Sequence, residues 1–155
     1  MNTAKPCVRI HFGRFSTTNK GLIFLSDEKN LSISVYDNGS IGQPVPLNAP
    51  VSDYISWNAA VFSGNHAVAL YSGDTLSSEP SDSMQCVFAV SNDAGASWYS
   101  VPLSPALSSD MSNVYNGPPA GMDLSFADKN NGFLLVPGYS NLLVTKDGGR
   151  SWYWQ

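Results

Sequence analysis

The chain has 155 residues, a formal net charge of −4 and only eight Lys and Arg residues, and 13% of its residues are charged. So few cations argue against nucleic acid as a partner, because phosphate backbones are bound by concentrated basic surfaces. No apolar run approaches the ~18 residues that a membrane-spanning helix needs, so membrane insertion is not expected. The length suits a single domain, residues 1–155, with a core of its own.

Short runs of β-branched and aromatic residues alternate with Gly, Asn, Asp and Pro along the whole chain. This alternation is clearest in the middle of the chain, where it predicts four strands. No stretch keeps a 3.6-residue period, so no helix of consequence is predicted. The four strands are Ala59–Phe62, His66–Tyr71, Cys86–Ser91 and Ser97–Leu103.

The chain contains an internal repeat. Residues Phe15–Leu25 align without a gap to Phe126–Val136, at an offset of 126 − 15 = 111, and the shorter segment Phe62–Leu70 lies between them. Three copies of about 55 residues follow from this spacing, and each reads as four short strands. Their approximate spans are 8–47, 51–103 and 111–155.

The pattern Asp-x-Gly-x-Ser-Trp appears near the ends of the second and third copies. In each, the Asp is expected to bond downstream amides, the Gly to take a positive φ, and the Trp to begin the return strand. The pattern therefore predicts a structural β-hairpin corner, and Tyr36–Ser40 is a weaker version without the Trp. The residues that define the two corners are Asp93, Gly95, Ser97 and Trp98, and Asp147, Gly149, Ser151 and Trp152.

The segment from Phe126 to Gly132, the strand after it and the corner at Asp147 together resemble the BNR or Asp-box repeat. Propellers of the photosystem II assembly-factor type and sialidase-type propellers carry similar repeats. The resemblance covers nearly the whole chain and is clearest in the third copy. It implies an all-β fold of three four-stranded antiparallel blades, β-propeller-like, in which the corners are structural.

Three blades are fewer than the four to eight of closed propellers. The chain is then a piece of a longer protein, an open stack of three sheets, or half of a six-bladed ring closed by a homodimer. We favour the last two equally. Either one leaves sheet edges or faces that invite a protein contact.

Every long predicted connection falls at the end of the sheets opposite the corners: Asn48–Asn58, Ser72–Met84 and Ser104–Gly121. Long loops on a rigid scaffold commonly carry binding residues. Alternatively, the aromatic residues anchor these loops, and residues 77–83 form a flexible solvated loop. The candidate binding residues are Tyr54, Trp57, Asp74, Glu79, Asp82 and Tyr115.

The sequence offers little for catalysis. Its three arginines, Arg9, Arg14 and Arg150, are too few for a sialidase-like carboxylate site, and Arg150 lies within a corner. His66 is expected in the core, and no phosphate-binding loop or metal-ligand spacing occurs, so no enzyme, cofactor or metal is predicted. We expect a non-catalytic scaffold or assembly-factor module that binds another protein. The alternatives are an inhibitor or immunity-type protein for a secreted enzyme, and a carbohydrate-binding or glycosidase-related propeller fragment.

The two cysteines, Cys7 and Cys86, form either one disulfide or two buried thiols. The low charge and the abundance of Ser, Thr and Asn favour a periplasmic or secreted protein, in which a disulfide would persist. Residues 1–7 lack the apolar core of a signal peptide, so synthesis without export is the alternative.

Overall fold

The computed structural model describes residues 9–12, 19–26, 31–48, 51–75, 84–113, 122–137, 140 and 142–155. Within these residues the chain forms thirteen strands and one helix. In chain order these are β1 (Arg9–Phe12), β2 (Lys20–Ser26), β3 (Leu31–Asp37), β4 (Ser40–Ile41), β5 (Val45–Leu47), β6 (Val51–Ser63), β7 (His66–Thr75), β8 (Met84–Ser91), β9 (Tyr99–Pro102), α1 (Pro105–Asn113), β10 (Asp123–Phe126), β11 (Gly132–Leu135), β12 (Leu142–Thr145) and β13 (Tyr153–Trp154).

The strands form three antiparallel sheets in which neighbours in sequence are neighbours in space. The first sheet has the order β1-β2-β3-β4, and β5 also pairs with β3. The second sheet is β6-β7-β8-β9, and the third is β10-β11-β12-β13. The prediction of an all-β chain made of antiparallel sheets is therefore confirmed for the described residues, with four strands in the second and third sheets and a fifth strand, β5, in the first.

The second sheet is the middle layer of the described structure. Because side chains alternate between the two faces of a strand, β7 and β8 bury one set of residues toward each neighbouring sheet. Ala67, Ala69, Tyr71, Val87 and Ala89 pack with the first sheet, in a cluster that includes Leu22, Phe24 and Ile33. Val68, Leu70, Phe88 and Val90 pack with the third sheet, in a cluster that includes Leu124, Leu134 and Leu143.

In each of the three sheets, one backbone hydrogen bond joins the turn before the second strand of that sheet to the turn after its third strand. We call this side of the stack the corner end. The donors are the amides of Asn38, Ala94 and Gly148, and the acceptors are the carbonyls of Asn19, Asn65 and Asn130, at 2.9, 2.8 and 2.9 Å.

Helix α1 shows that the prediction of no helix of consequence was wrong. The Ser104 hydroxyl accepts a hydrogen bond from the amide of Leu107 at 3.3 Å, and Pro105 occupies the first helical position. Met111, one turn beyond Leu107, is fully buried in the core between the second and third sheets. A nine-residue helix is too short to show a sustained 3.6-residue hydrophobic period. The sequence feature that indicates it is the helix start at Ser104 and Pro105.

Strands β6 and β7 are longer than predicted, since they extend through much of two predicted connections. Val51 pairs with Thr75 and Ile55 with Gly73, and a register shift follows between Trp57 and Ala59. Pairing between strands forms the hydrogen bonds of the backbone amides and carbonyls whatever the side chains are. The polar residues in these two segments therefore did not end the strands. In the described part of the chain, no helix has the length and apolar character to cross a membrane.

Candidate functional site

The corner at Asp147 is held by its carboxylate. Oδ1 accepts hydrogen bonds from the amides of Arg150 and Ser151 at 3.0 and 2.9 Å, and Oδ2 accepts one from the Ser151 hydroxyl at 2.6 Å. The Trp152 ring nitrogen then donates to the carbonyl of Gly149 at 3.1 Å. The carboxylate organises the turn, and the tryptophan closes it.

The corner at Asp93 repeats this geometry. Its Oδ1 accepts from the amide of Ser97 at 2.9 Å, its Oδ2 accepts from the Ser97 hydroxyl at 2.5 Å, and Trp98 Nε1 donates to the Gly95 carbonyl at 3.1 Å. The same four residue types do the same work in both copies.

A hydroxyl two residues before each Asp belongs to the corner, and sequence reasoning missed it. Thr145 Oγ1 donates to Asp147 Oδ1 at 2.8 Å and accepts from the amide of Gly149 at 2.9 Å. Ser91 Oγ makes the equivalent bonds to Asp93 and Gly95, both at 2.8 Å. A Ser or Thr at the same spacing in both copies was the available signal.

Each corner also packs on the preceding sheet. Gly149 has φ +88°, and a Cβ added there would contact Val90 Cγ2 at 3.4 Å. Gly95 has φ +91°, and its added Cβ would overlap the side chain of Val35. Glycine is therefore required at both positions for its left-handed backbone and, at Gly95, for the close approach as well.

The two tryptophans are buried to different extents. Trp152 is buried, stacks on Phe88 with ring centroids 4.3 Å apart, and meets Phe126 edge-on at 6.2 Å. Trp98 is only half-buried against the core between the first and second sheets. The third corner is thus the more strongly anchored.

The hydrogen bonds of the two turns lower the pKa values of the corner aspartates, Asp93 and Asp147. The pKa of Asp93 is lowered, chiefly by the Ser97 hydroxyl and amide. For Asp147, partial burial would raise the pKa, but hydrogen bonds from Ser151, Thr145 and Arg150 outweigh it and lower the pKa. Each carboxylate is therefore ionised near neutral pH and accepts hydrogen bonds from donors of its own turn.

The first sheet has a simpler corner, as its weaker sequence suggested. Asn38 and Gly39 both have positive φ, 49° and 90°, in a two-residue turn between the paired residues Asp37 and Ser40. The Asp37 carboxylate forms an ion pair with Lys20 at 3.2 Å instead of organising a longer turn.

A pocket of about 460 Å³ opens at the corner end, between the second and third sheets. His66 lines it and is buried; its Nδ1 bonds Asn92 Oδ1 at 2.8 Å, and its Nε2 has no hydrogen-bond partner. Ser63 also lines this pocket. The other lining residues are Asn65, Lys129, Asn130, Asp147, Gly148 and Arg150.

The six candidate binding residues were predicted on long connections at the opposite end. Tyr54, Trp57 and Asp74 instead have strand backbones, in β6 and β7, and only their backbone is described. The other three, Glu79, Asp82 and Tyr115, lie outside the described residues. A binding role for these six residues stays a prediction.

Cys86 is a buried cysteine on β8, and burial raises the pKa of its thiol to about 11. Cys7 lies outside the described residues, so a disulfide between the two stays a prediction. In the ranges that the structure describes, no three His, Cys, Asp or Glu residues are grouped so as to hold a metal ion.

Among the described residues, no other sheet packs on one face of the third sheet, which we call the outer face. Ladder pairing places Phe133 between Val144 and Ser125, Leu135 between Leu142 and Asp123, and Tyr153 beside Val144, so these seven side chains share it. Their neighbours Leu134 and Leu143 point the other way into the core. Sequence reasoning did not single out this face, because residues from both faces read as one apolar run. The exposed fractions of Phe133, Leu135, Leu142 and Tyr153 are 41%, 45%, 38% and 39%.

In comparisons with known protein families, curated proteins and solved structures, the chain gives no match. The resemblance to Asp-box repeats therefore stays a prediction carried by the corner residues.

Proposed function

We propose that this protein is a non-catalytic protein-binding module built from three propeller-type blades with Asp-box corners, and that the outer face of the third sheet is its binding surface. The observation that carries the proposal is the exposure of four large apolar side chains on that one face. The largest exposed apolar patch of a soluble protein is often functional, which supports this surface as the binding site.

The internal repeat supports this assignment of the outer face. Val35, Val90 and Val144 occupy the same ladder position in the three sheets, opposite Leu22, Val68 and Phe133 respectively. The corner of the second sheet packs on Val35, and the corner of the third packs on Val90.

Val144 is the next position in this series. Among the described residues, no sheet packs on it. The outer face thus carries a valine at the position where the faces of the first and second sheets each contact the next sheet. This similarity favours a protein with an apolar sheet face as the partner.

The corners support the non-catalytic part of the proposal. Asp93 and Asp147 are occupied by donors from their own turns. His66 is held by Asn92 and buried beneath the pocket. These three side chains thus hold together the corner end of the second and third sheets.

Affinity capture from the source organism tests the proposal. The full chain is compared with Phe133→Lys and with Ile41→Lys, since Ile41 is 65% exposed on the first sheet and gives a matched apolar-to-cation change elsewhere. We expect one protein to be captured stoichiometrically by the parent and by Ile41→Lys, and lost with Phe133→Lys. Equal capture by all three chains would show that the outer face is not the binding surface.

A further inference from the structure

We propose that the pocket at the corner end binds a small hydroxylated compound that carries a phosphate monoester, of the size of a sugar phosphate. This site is separate from the outer face, so it goes beyond the proposed function. All the side chains that line the pocket are polar or charged, which suits a polar ligand. Its volume of about 460 Å³ lies within the ~300–1,000 Å³ of small-molecule sites, so it has room for more than a phosphate group.

Two cationic side chains line the pocket, those of Lys129 and Arg150. Both residues are exposed, and among the described residues neither forms an ion pair with a carboxylate. Asp147 also lines the pocket, but its carboxylate accepts hydrogen bonds from Thr145, Arg150 and Ser151 of its own turn. Two unpaired cations match the roughly two negative charges of a phosphate monoester at neutral pH better than the single charge of a carboxylate.

The corner of the third sheet does not need these two cations in order to form. In the second sheet, the residue before the turn carbonyl that accepts the recurring hydrogen bond is Gly64, where the third sheet has Lys129. The residue before the corner serine is Ala96, where the third sheet has Arg150. Because the second corner makes the same hydrogen bonds without either cation, the cations serve something other than the turn.

His66 adds a buried polar atom that has no protein partner. Its exposed fraction is 5%, and among the described residues its Nε2 makes no hydrogen bond. Nδ1 donates to Asn92 Oδ1 at 2.8 Å, since Asn92 Nδ2 is turned to the Tyr99 hydroxyl at 3.4 Å. Nε2 is then left for a ligand, as an acceptor from a hydroxyl when the ring is neutral and as a donor to a phosphate oxygen when it is protonated. A buried polar atom of this kind is costly to leave unpaired.

Gly148 brings the imidazole and the two cationic residues to one part of the lining. A Cβ added at Gly148 would lie 3.8 Å from His66 Nε2, 3.4 Å from His66 Cε1 and 2.9 Å from the carbonyl oxygen of Lys129. No side chain at position 148 therefore stands beside the Nε2 edge. The amides of Asn65 and Asn130 line the same pocket and can bond the hydroxyls of a ligand as donors or acceptors.

Nuclear magnetic resonance titration of the isotope-labelled full chain tests the proposal. The probe is glucose phosphorylated on its primary hydroxyl. We expect it to shift the amide signals of Asn130, Gly148 and Arg150, with a dissociation constant on the order of 0.1–1 mM for a ligand this small. Inorganic phosphate, which lacks the sugar hydroxyls, and glucuronate, which has one charge, should each bind at least about tenfold more weakly. Glucose itself should shift no signal at the pocket.

Lys129→Ala and Arg150→Ala should each weaken binding of the sugar phosphate at least about tenfold, because each removes a charged hydrogen bond to the phosphate. Lys146→Ala is the matched control and should bind like the parent. Lys146 does not line the pocket, and its Nζ lies 5.8 Å from the centroid of the Tyr153 ring. All three variants should keep the melting temperature of the parent, since the second corner forms with Gly64 and Ala96 at the equivalent places.

Four results would overturn the proposal. The first is a sugar phosphate that shifts no signal at the pocket, and the second is unchanged affinity in both Lys129→Ala and Arg150→Ala. Glucose binding as tightly as the sugar phosphate would show that the phosphate is not recognised. Inorganic phosphate or glucuronate binding as tightly would show that the site is a general anion site.

Discussion

At the scale of single residues, the corners show how few side chains fix a turn. Asp147 binds the amides of Arg150 and Ser151, Thr145 binds Asp147 and the Gly149 amide, and Trp152 closes the turn on the Gly149 carbonyl. The amides of residues 148 to 151, which the turn takes away from the ladder, each have an acceptor, which is why the same residue types recur at the same spacing.

The two tryptophans should differ in their contribution to stability. Trp152→Ala removes a buried ring stacked on Phe88 and should lower the free energy of unfolding by about 3–5 kcal/mol. Trp98→Ala should cost about 2 kcal/mol, because that ring is already half in water. Urea unfolding followed by circular dichroism measures both. Equal losses, or no loss in either variant, would contradict the packing described for the two corners.

The lowered pKa of Asp147 predicts an acid dependence of stability. Because the folded-state pKa lies below the unfolded value near 3.9, the contribution of this carboxylate is complete above that value. It is lost as the pH falls through the folded-state pKa. Asp147→Asn should cost about 1 kcal/mol at pH 7, which is below the ~1.5–3 kcal/mol of hydrogen bonds to charged groups because solvent screens this site.

Unfolding free energies of the parent and Asp147→Asn, measured between pH 7 and pH 2, give the readout. The difference between the two proteins should narrow below about pH 4, where the carboxylate of the parent becomes protonated. A difference that is constant with pH would mean that the corner does not depend on the charge of Asp147.

At the scale of elements, helix α1 shows how a local start signal and a tertiary contact combine. Ser104 and Pro105 begin the helix, and Met111 inserts into the core between the second and third sheets. Trp154 Nε1 also donates to Asp110 at 3.2 Å, which ties the helix to the last strand. A helix this short is marginal alone, so packing has to hold it.

Ser104→Ala should destabilise the protein by about 1 kcal/mol, the usual cost of losing an N-cap. Ser104→Asp is the matched control, because Asp caps equally well and should retain the stability of the parent. Thermal unfolding of the three proteins measures this. An Asp variant as unstable as the Ala variant would show that capping is not the role of Ser104.

At the scale of the whole molecule, the second sheet belongs to both cores. Its two faces contact the first and third sheets, so neither core can be lost without exposing a face of the shared layer. Coupling of this kind favours a single cooperative transition over independent unfolding of repeats.

Substitutions in either core should therefore lower the midpoint temperature of the same unfolding transition. Phe24→Ala lies in one core and Leu134→Ala in the other, and each should cost about 3–4 kcal/mol. Phe133→Ala, the exposed neighbour of Leu134, should cost less than about 1 kcal/mol. Calorimetry should give equal calorimetric and van't Hoff enthalpies for all variants. A second transition that responds to only one core would show that the two cores unfold separately.

The sequence by itself determined the local features of this protein. Turn residues and strand runs act within a few positions, so the corners at Asp93 and Asp147 and the four-stranded antiparallel units were predictable. Ser91 and Thr145 were equally local and could have been found from their repeated spacing.

Only the tertiary structure decided which apolar faces are covered. Leu134 and Phe133 are neighbours in one apolar run, yet one is buried and the other is exposed, because burial depends on whether another sheet packs on that face. The extension of β6 to Val51 likewise depends on pairing with Thr75, twenty-four residues away by 75 − 51. Long-range packing, which no short stretch of sequence encodes, therefore produced the outer face on which the proposed function rests.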